Sequence, residues 1–257
     1  MAAKKMKMSV AMATFNEEKN LDACLGTVSA WVDETVIVDG GSKDRTVAIA
    51  RKYGATVIET DNPPIFHINK QKALDACHGD WILQLDADEV VDGALRDEIL
   101  AVIHNPDAKD AYYLPRKNFF IGHWLSKGGQ YPDYLIRLFR NGKGKFPNRS
   151  VHEQIAVSGS VGYLTKPLLH YTNRTFADYW RKAGTYTTLT SDELLACHTG
   201  KDPLTFVRFM VLKPLWTFLR LYIRHKGFVD GMWGFLFALF SGLHYPIAYW
   251  KYLTRAA

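Results

Sequence analysis

The residues best placed to do chemistry stand together at DADEVVD (86–92), where Asp86, Asp88, Glu89 and Asp92 follow the apolar run WILQL (81–85). Side chains alternate along an extended segment, so Asp86 and Asp88 project to the same side. Two hard oxygen donors at a strand end suit Mg2+ or Mn2+, which completes its shell with waters and phosphate oxygens. Such crowding also raises carboxylate self-repulsion, so either a cation offsets it or the segment is a solvated loop. Acid-x-acid pairs are common, about two or three being expected by chance in a chain of this composition. This one is distinguished by its place after a buried strand. Glu89 and Asp92 need not touch a metal, and solvated or helix-capping roles suffice for them.

The elements that must position these carboxylates are legible upstream. Four β-rich runs, MSVAMAT (8–14), ETVIVDG (34–40), ATVIET (55–60) and DWILQLD (80–86), are separated by segments with helical spacing. Leu21, Cys24, Leu25 and Val28 recur at three and four residues, Val47, Ala48 and Ala50 mark a second short helix, and a third runs from about 69 to 77. Strand–helix alternation of this kind predicts an α/β fold with a doubly wound, mostly parallel sheet. In such sheets ligands bind beyond the carboxyl ends of the strands. Thr14-Phe15-Asn16-Glu17, Asp39-Gly40-Gly41-Ser42, Asp61-Asn62 and Asp86-Ala87-Asp88-Glu89 occupy those ends and are expected to converge on one rim.

Asp39 is a candidate acceptor for a base or ribose, as acids at this place are in nucleotide-binding sheets. Gly40 and Gly41 permit a tight turn and close backbone approach, and Asp44 is expected to cap the next helix. Lys70, in HINKQKAL, is a candidate for phosphate contact near a helix N-terminus. Arg137 and Arg140 lie in an apolar segment, from which they would reach a diphosphate or pair with acids on the rim.

TFNEEKNLDACL, VIVDGGSKDRT and GDWILQLDADEVV, in that order and spacing, resemble glycosyltransferase family 2, the inverting enzymes of GT-A fold. Within it the chain is most similar to lipopolysaccharide-core glucosyltransferase-like members. The resemblance implies a Rossmann-like sheet and a nucleotide-diphosphate-sugar donor, UDP-glucose being the first to try. It implies Thr14, Phe15 and Glu17 near the nucleotide, Asp39 on the base, Asp86 near the ribose and Asp88 on Mn2+ or Mg2+ at the diphosphate. A donor-bound cation would then relieve the repulsion between Asp86 and Asp88. Residues 1–105 would form the nucleotide-sugar half, 106–200 the acceptor half, and 201–257 a helical appendage.

An acceptor hydroxyl needs a general base within hydrogen-bond reach. The Glu-Asp or Asp-Asp pair that many relatives carry in the second half is missing here. Glu153 in RSVHEQI is the best substitute and Asp133 in QYPDYLIRLFR the second choice. No QxxRW signature of processive members occurs, so one sugar per encounter is expected.

Three scattered cysteines without a CxxC argue for a reducing compartment and against a disulfide framework or zinc site. The first residues read as a strand rather than a signal peptide. Beyond Thr205 there are seven Lys/Arg and one acid, which accounts for the whole net charge of +6. The basic character therefore belongs to the tail, and no nucleic-acid partner is expected. Residues 204–226 read as a basic aromatic helix, with Lys213, Arg220 and Arg224 in one narrow sector and a kink or break at Pro214. Residues 228–250 are apolar but broken by Asp230, glycines and Pro246, marginal for a spanning helix. Both suit an anionic membrane interface. The expected setting is the cytoplasmic face of the inner or plasma membrane, peripheral or monotopic, with a lipid-linked saccharide acceptor.

Three other readings stay open. A polyprenyl-phosphate sugar transferase would need no general base, its acceptor being already ionised. DADEV also matches the DxDx(T/V) pattern of haloacid dehalogenase-like phosphatases, with Asp86 as nucleophile, but those place it after the first strand. A non-catalytic membrane module is the last.

Overall fold

The computed structural model describes residues 6–63, 65–147 and 154–255. The chain divides into two compact units, Met1–Arg116 with Tyr134–His170, and Lys117–Asp133 with Tyr171–Ala257.

The first unit alternates as its sequence predicts. It runs β1 (Met8–Thr14), α1 (Leu21–Val28), β2 (Glu34–Asp39), α2 (Thr46–Lys52), β3 (Thr56–Glu59), α3 (His67–Asp75), β4 (Trp81–Gln84), β5 (Glu89–Val90) and α4 (Gly93–Ile103). The chain continues through β6 (Ala111–Phe120), β7 (His123–Trp124), β8 (Asp133–Arg140), β9 (Gly144–Lys145), β10 (Ala156–Val157), β11 (Val161–Tyr163) and β12 (Leu168–Asn173). The main sheet has the order β3-β2-β1-β4-β8-β6-β12-β5. β3, β2, β1 and β4 are parallel; β8 joins β4 antiparallel, and β5 pairs antiparallel with β12. Along that order the parallel pairing stops at β4, while β11 pairs parallel with β6 beside it.

The near-continuous apolar strands β1, β2 and β4 are buried because helices cover this part of the sheet, whereas β3 at its edge is largely exposed. Leu21, Cys24, Leu25 and Val28, the predicted face of α1, all lie in one core cluster with Val10, Met12, Leu83 and Leu95. In α2 the buried positions are Thr46 and Ala50, while Ala48 is exposed. Order reverses at β1, with β2 and β3 built outward on one side and β4 on the other. Such a switch point opens a crevice at the carboxyl ends of the strands.

The second unit is chiefly helical: α5 (Phe176–Ala196), α6 (Pro203–Val207), α7 (Lys213–Leu219) and α8 (Gly231–Arg255). Two π-helical segments, Arg208–Leu212 and Arg220–Arg224, carry α6 into α7 and beyond it. Pro214 sits in the first turn of α7, directly after the π segment, and the helical run continues through it. Lys213 is only half-exposed. Its ammonium lies 3.7 Å from the Phe209 ring centroid and 5.3 Å from that of Tyr245, and burial, then Arg208, lowers its pKa. Arg220 and Arg224 remain exposed. Among the described residues no helix is long and apolar enough to cross a membrane.

Candidate active site

Thr14 and Asp39 are opposite each other in the β1–β2 register, and Leu85 donates its amide to Ala11 of β1 at 3.1 Å. This pairing draws the chain beyond β1, β2 and β4 to one end of the sheet.

Asp39 is buried, and its carboxylate organises the turn that follows it. Oδ1 accepts from the amides of Gly41 (3.0 Å) and Ser42 (2.7 Å), and Oδ2 from the hydroxyls of Thr14 (2.9 Å) and Ser42 (2.6 Å). Gly41 adopts φ +81°, and a Cβ on Gly40 would meet Asn62 Cβ at 3.0 Å. Both glycines are thus required by the turn itself. The loop after β1 is tied to it through Asn16, whose amide donates to Ser42 Oγ (2.8 Å) and whose Oδ1 accepts from the Lys43 amide (2.8 Å). Glu17 donates its amide to Thr46 Oγ1 at 2.7 Å, and Phe15 is left exposed. Arg45 is the N-cap of α2 and has no side-chain cap; one residue earlier, Asp44 accepts from the Thr46 amide at 3.0 Å. Burial works against its charge, but the Thr46 and Glu18 donors hold its carboxyl below the ordinary value.

At the end of β4 the acidic cluster is neutralised from within. Lys70 Nζ lies 2.5 Å from Asp86 Oδ1, and Arg137 Nη2 lies 2.6 Å from both Asp86 Oδ2 and Glu89 Oε1. Arg137 also donates through Nη1 to Gln84 Oε1, the Asp86 amide donates to Glu89 Oε2 at 2.9 Å, and Arg116 approaches Glu89 Oε1 at 3.8 Å. Burial opposes ionisation of Asp86, yet Arg137 and then Lys70 hold its carboxyl well below the usual range. Burial likewise disfavours the Arg137 cation, and Asp86 and Glu89 more than compensate, raising its pKa. Lys70 and Arg137 offset the charge of Asp86. One expectation changes here: Glu89 is fully buried in an ion pair rather than solvated. Asp92 does cap a helix: its Oδ1 accepts from the Leu95 amide of α4 at 2.8 Å. Arg140 is engaged elsewhere, over the Trp81 ring at 4.7 Å.

Asp88 stands beside His170. The β5–β12 pairing places His170 opposite Glu89, which brings His170 Nε2 to 3.4 Å from Asp88 Oδ1. A carboxylate oxygen and an imidazole nitrogen fit a borderline-hard divalent ion such as Mn2+ better than Mg2+. Among the described residues no group of three or more His, Cys, Asp or Glu side chains is arranged to hold a metal. A cation at this pair would take its remaining ligands from donor oxygens and water. His170 was missed in the sequence because it is one of nine histidines and lies far along the chain from Asp88.

Lys70, Asp86 and Arg137, assigned to the donor from sequence, are therefore brought into direct contact. Asp133 belongs to the second unit, where Asn118 Nδ2 donates to its Oδ2 at 3.2 Å. Glu153 lies outside the described residues. A phosphatase nucleophile at Asp86 fits neither its fourth-strand position nor carboxylate oxygens already held by Lys70 and Arg137.

Residues 9–169 match the family model for glycosyl transferase family 2. The chain belongs to that family. It is 30% identical over 254 residues to the lipopolysaccharide core biosynthesis glycosyltransferase LpsC of Rhizobium meliloti (strain 1021), covering 92% of this chain and 91% of the relative. Among solved structures, TarS 1–349 of S. aureus aligns over 96% of this chain and 92% of its own at 15% identity and TM-score 0.48. Glucosyl-3-phosphoglycerate synthase from Mycobacterium tuberculosis, in complex with Mn2+, uridine-diphosphate-glucose and phosphoglyceric acid, aligns over 42% of this chain and 43% of its own at 22% identity and TM-score 0.37. Neither structural likeness assigns a residue here.

Proposed function

We propose that the protein is an inverting, metal-dependent glycosyltransferase that moves one sugar from UDP-glucose to a lipid-linked or lipopolysaccharide-core acceptor at the cytoplasmic membrane face. The observation that carries this reading is the buried Lys70–Asp86–Arg137–Glu89 network at the β1/β4 switch point, with Asp88 and His170 beside it. The network holds Asp86 ionised and fixed, ready to accept hydrogen bonds from a ribose. Thr14, Phe15, Glu17 and the Asp39 turn form the nucleotide side of the crevice. Lys70 and Arg137, which balance Asp86 and Glu89, would turn hydrogen-bond donors toward the diphosphate.

Asp88 and His170 would hold Mn2+, which when bound supplies charge neutralisation for the leaving diphosphate. In the reaction the acceptor oxygen forms a bond to the anomeric carbon as the carbon–oxygen bond to the diphosphate breaks. The hydroxyl proton passes to a carboxylate, Glu153 first and Asp133 second.

Incubation with Mn2+ and a panel of nucleotide sugars, read by nucleotide release and by protection against melting, tests the reading. UDP-glucose should protect and turn over; a folded protein that neither binds nor turns over any donor sinks it. Asp88→Ala should abolish metal-dependent donor binding, and His170→Ala should raise the Mn2+ needed by at least about tenfold. Glu153→Gln should spare donor binding and remove transfer, whereas equal loss of both refutes it as base. Retained transfer in both Glu153→Gln and Asp133→Asn would point instead to a polyprenyl-phosphate acceptor.

A further inference from the structure

The run from α6 through the π segment beyond α7 carries Val207, Val211, Leu215, Leu219 and Ile223 at strict four-residue spacing, and all five are exposed. In an unbroken α-helix of 3.6 residues per turn a four-residue step overshoots one turn, and the row winds around the axis. The wider i→i+5 turns need more residues per turn, so there the same step falls short. Alternating π, α and π segments over 208–224 therefore cancels the drift and keeps the row on one face. Leu212 and Trp216 lie alongside, Trp216 with 62% of its surface exposed. The turn that follows adds Phe228, Val229 and Met232, the last 67% exposed.

The opposite side of this layer is closely packed. A Cβ on Gly234 of α8 would lie 1.9 Å from Gly227 O, and one on Gly242 would lie 2.8 Å from Pro214 O. Ala238, between them at the same four-residue spacing, is fully buried. Small residues let α8 back directly onto the run, as in lipid-immersed helix pairs, and the aliphatic row is left facing outward. A contiguous apolar surface of this kind marks an interaction site.

We propose that this face, from Val207 to Met232, docks onto the headgroup and upper acyl region of an anionic lipid bilayer, with Arg220 and Arg224 at its edge contacting lipid phosphates. It deepens the membrane part of the function proposed above and rests on it. Charge selects this occupant. On this run Arg208, Arg220, Arg224 and Lys226 are exposed, whereas the one acid beyond Thr205, Asp230, is held by the Ser126 hydroxyl (2.6 Å) and by the Ser126 and Lys127 amides (3.0 and 2.8 Å). A second copy packed symmetrically would bring Arg220 and Arg224 against like charges, whereas an anionic leaflet attracts each such cation.

The test is flotation of the full chain with phosphatidylcholine vesicles containing or lacking phosphatidylglycerol, beside the Mn2+ and UDP-glucose melting assay. The wild type should float with anionic vesicles, less in high salt, and weakly with neutral ones. Leu215→Ser with Trp216→Ser should lower partitioning by at least about tenfold while the melting midpoint and donor protection stay unchanged. Arg220→Ser with Arg224→Ser should lower anionic-vesicle binding and leave the weak neutral binding as it was. The proposal is overturned if the wild type stays with the unbound fraction on anionic vesicles. It is also overturned if the Leu215 and Trp216 changes leave flotation intact, or if they dissociate a dimer seen by light scattering without altering flotation. Loss of donor protection in the wild type, with flotation retained, would strike the donor reading and not this surface.

Discussion

The first unit takes Arg137, Glu89 and Lys70 out of water, whereas the second leaves Val211, Trp216 and Met232 in it. Each departs from the usual partition of side chains, and each is stable for a different reason. Buried charge is tolerated because every member of the network has an opposite charge at hydrogen-bond distance. Glu89 meets Arg137 at 2.6 Å, and Asp86 meets Lys70 and Arg137. Exposed apolar surface is tolerated because the layer beneath is tightly packed, with Gly227 and Gly234 in backbone contact. A buried ion pair is weak evidence for stability, so the network points to function. Exposed aliphatics in a row oppose solubility and point to a partner.

The sharpest way to break that contrast is to strand the buried charge. Arg137→Met should cost about 3–5 kcal/mol in chemical denaturation, because fully buried Glu89 loses its hydrogen-bonded counter-ion and keeps only Arg116 at 3.8 Å. Adding Glu89→Leu should recover part of the loss; no recovery would mean that the cost lies in packing. On the other side of the comparison, Gly234→Ala should destabilise by roughly 1–3 kcal/mol, since the new methyl group meets the Gly227 carbonyl and the backbones must separate. A melting curve unchanged by that substitution would deny the close approach. The smallest substitution effect expected is that of Asp92→Ala, which removes the cap of α4 at about 1 kcal/mol and should leave metal-dependent donor binding untouched.

The pH dependence separates two kinds of burial within the first unit. The Asp86 carboxyl is held low by Arg137 and Lys70 against the cost of burial. Its contribution to stability is complete above the ordinary value of 3.8 and is lost as pH falls below it toward the folded value. Burial, and then Glu34, pushes the Cys77 thiol up to about 12, so its contribution is complete below 9.0 and fades as pH rises through that interval. Denaturation midpoints followed across pH should therefore fall at both extremes, and Arg137→Met should flatten only the acid limb. An acid limb unchanged in that variant would remove the pairing from the account.

Much of the site could be read directly from the chain. The strand ends at Thr14, Asp39 and Asp86 announce themselves because a parallel sheet buried on both faces is written as apolar runs, and the first polar residue after each run marks the rim. The capping role of Asp92 and the glycine requirement at Gly40 and Gly41 are local, and were expected for that reason. What escaped was partnership. Glu89 reads as one more acid in an acidic loop, and only Arg137, arriving on an antiparallel strand 48 residues later, makes it a buried anion. Lys213 likewise reads as one more cation of the tail, and only the Phe209 and Tyr245 rings beside its ammonium set it apart from the exposed Arg220 and Arg224.

The sequence by itself determined the family, the parallel βαβ core and the identity of the carboxylates at its rim, because those depend on periodicity and on short ordered motifs. Tertiary structure alone decided which cation answers which carboxylate, that His170 stands beside Asp88, and that one row of aliphatics in the tail faces outward. Those facts depend on strand order, on the β5–β12 register and on the packing of α8. Each is a contact between residues whose spacing along the chain carries no signal of their meeting.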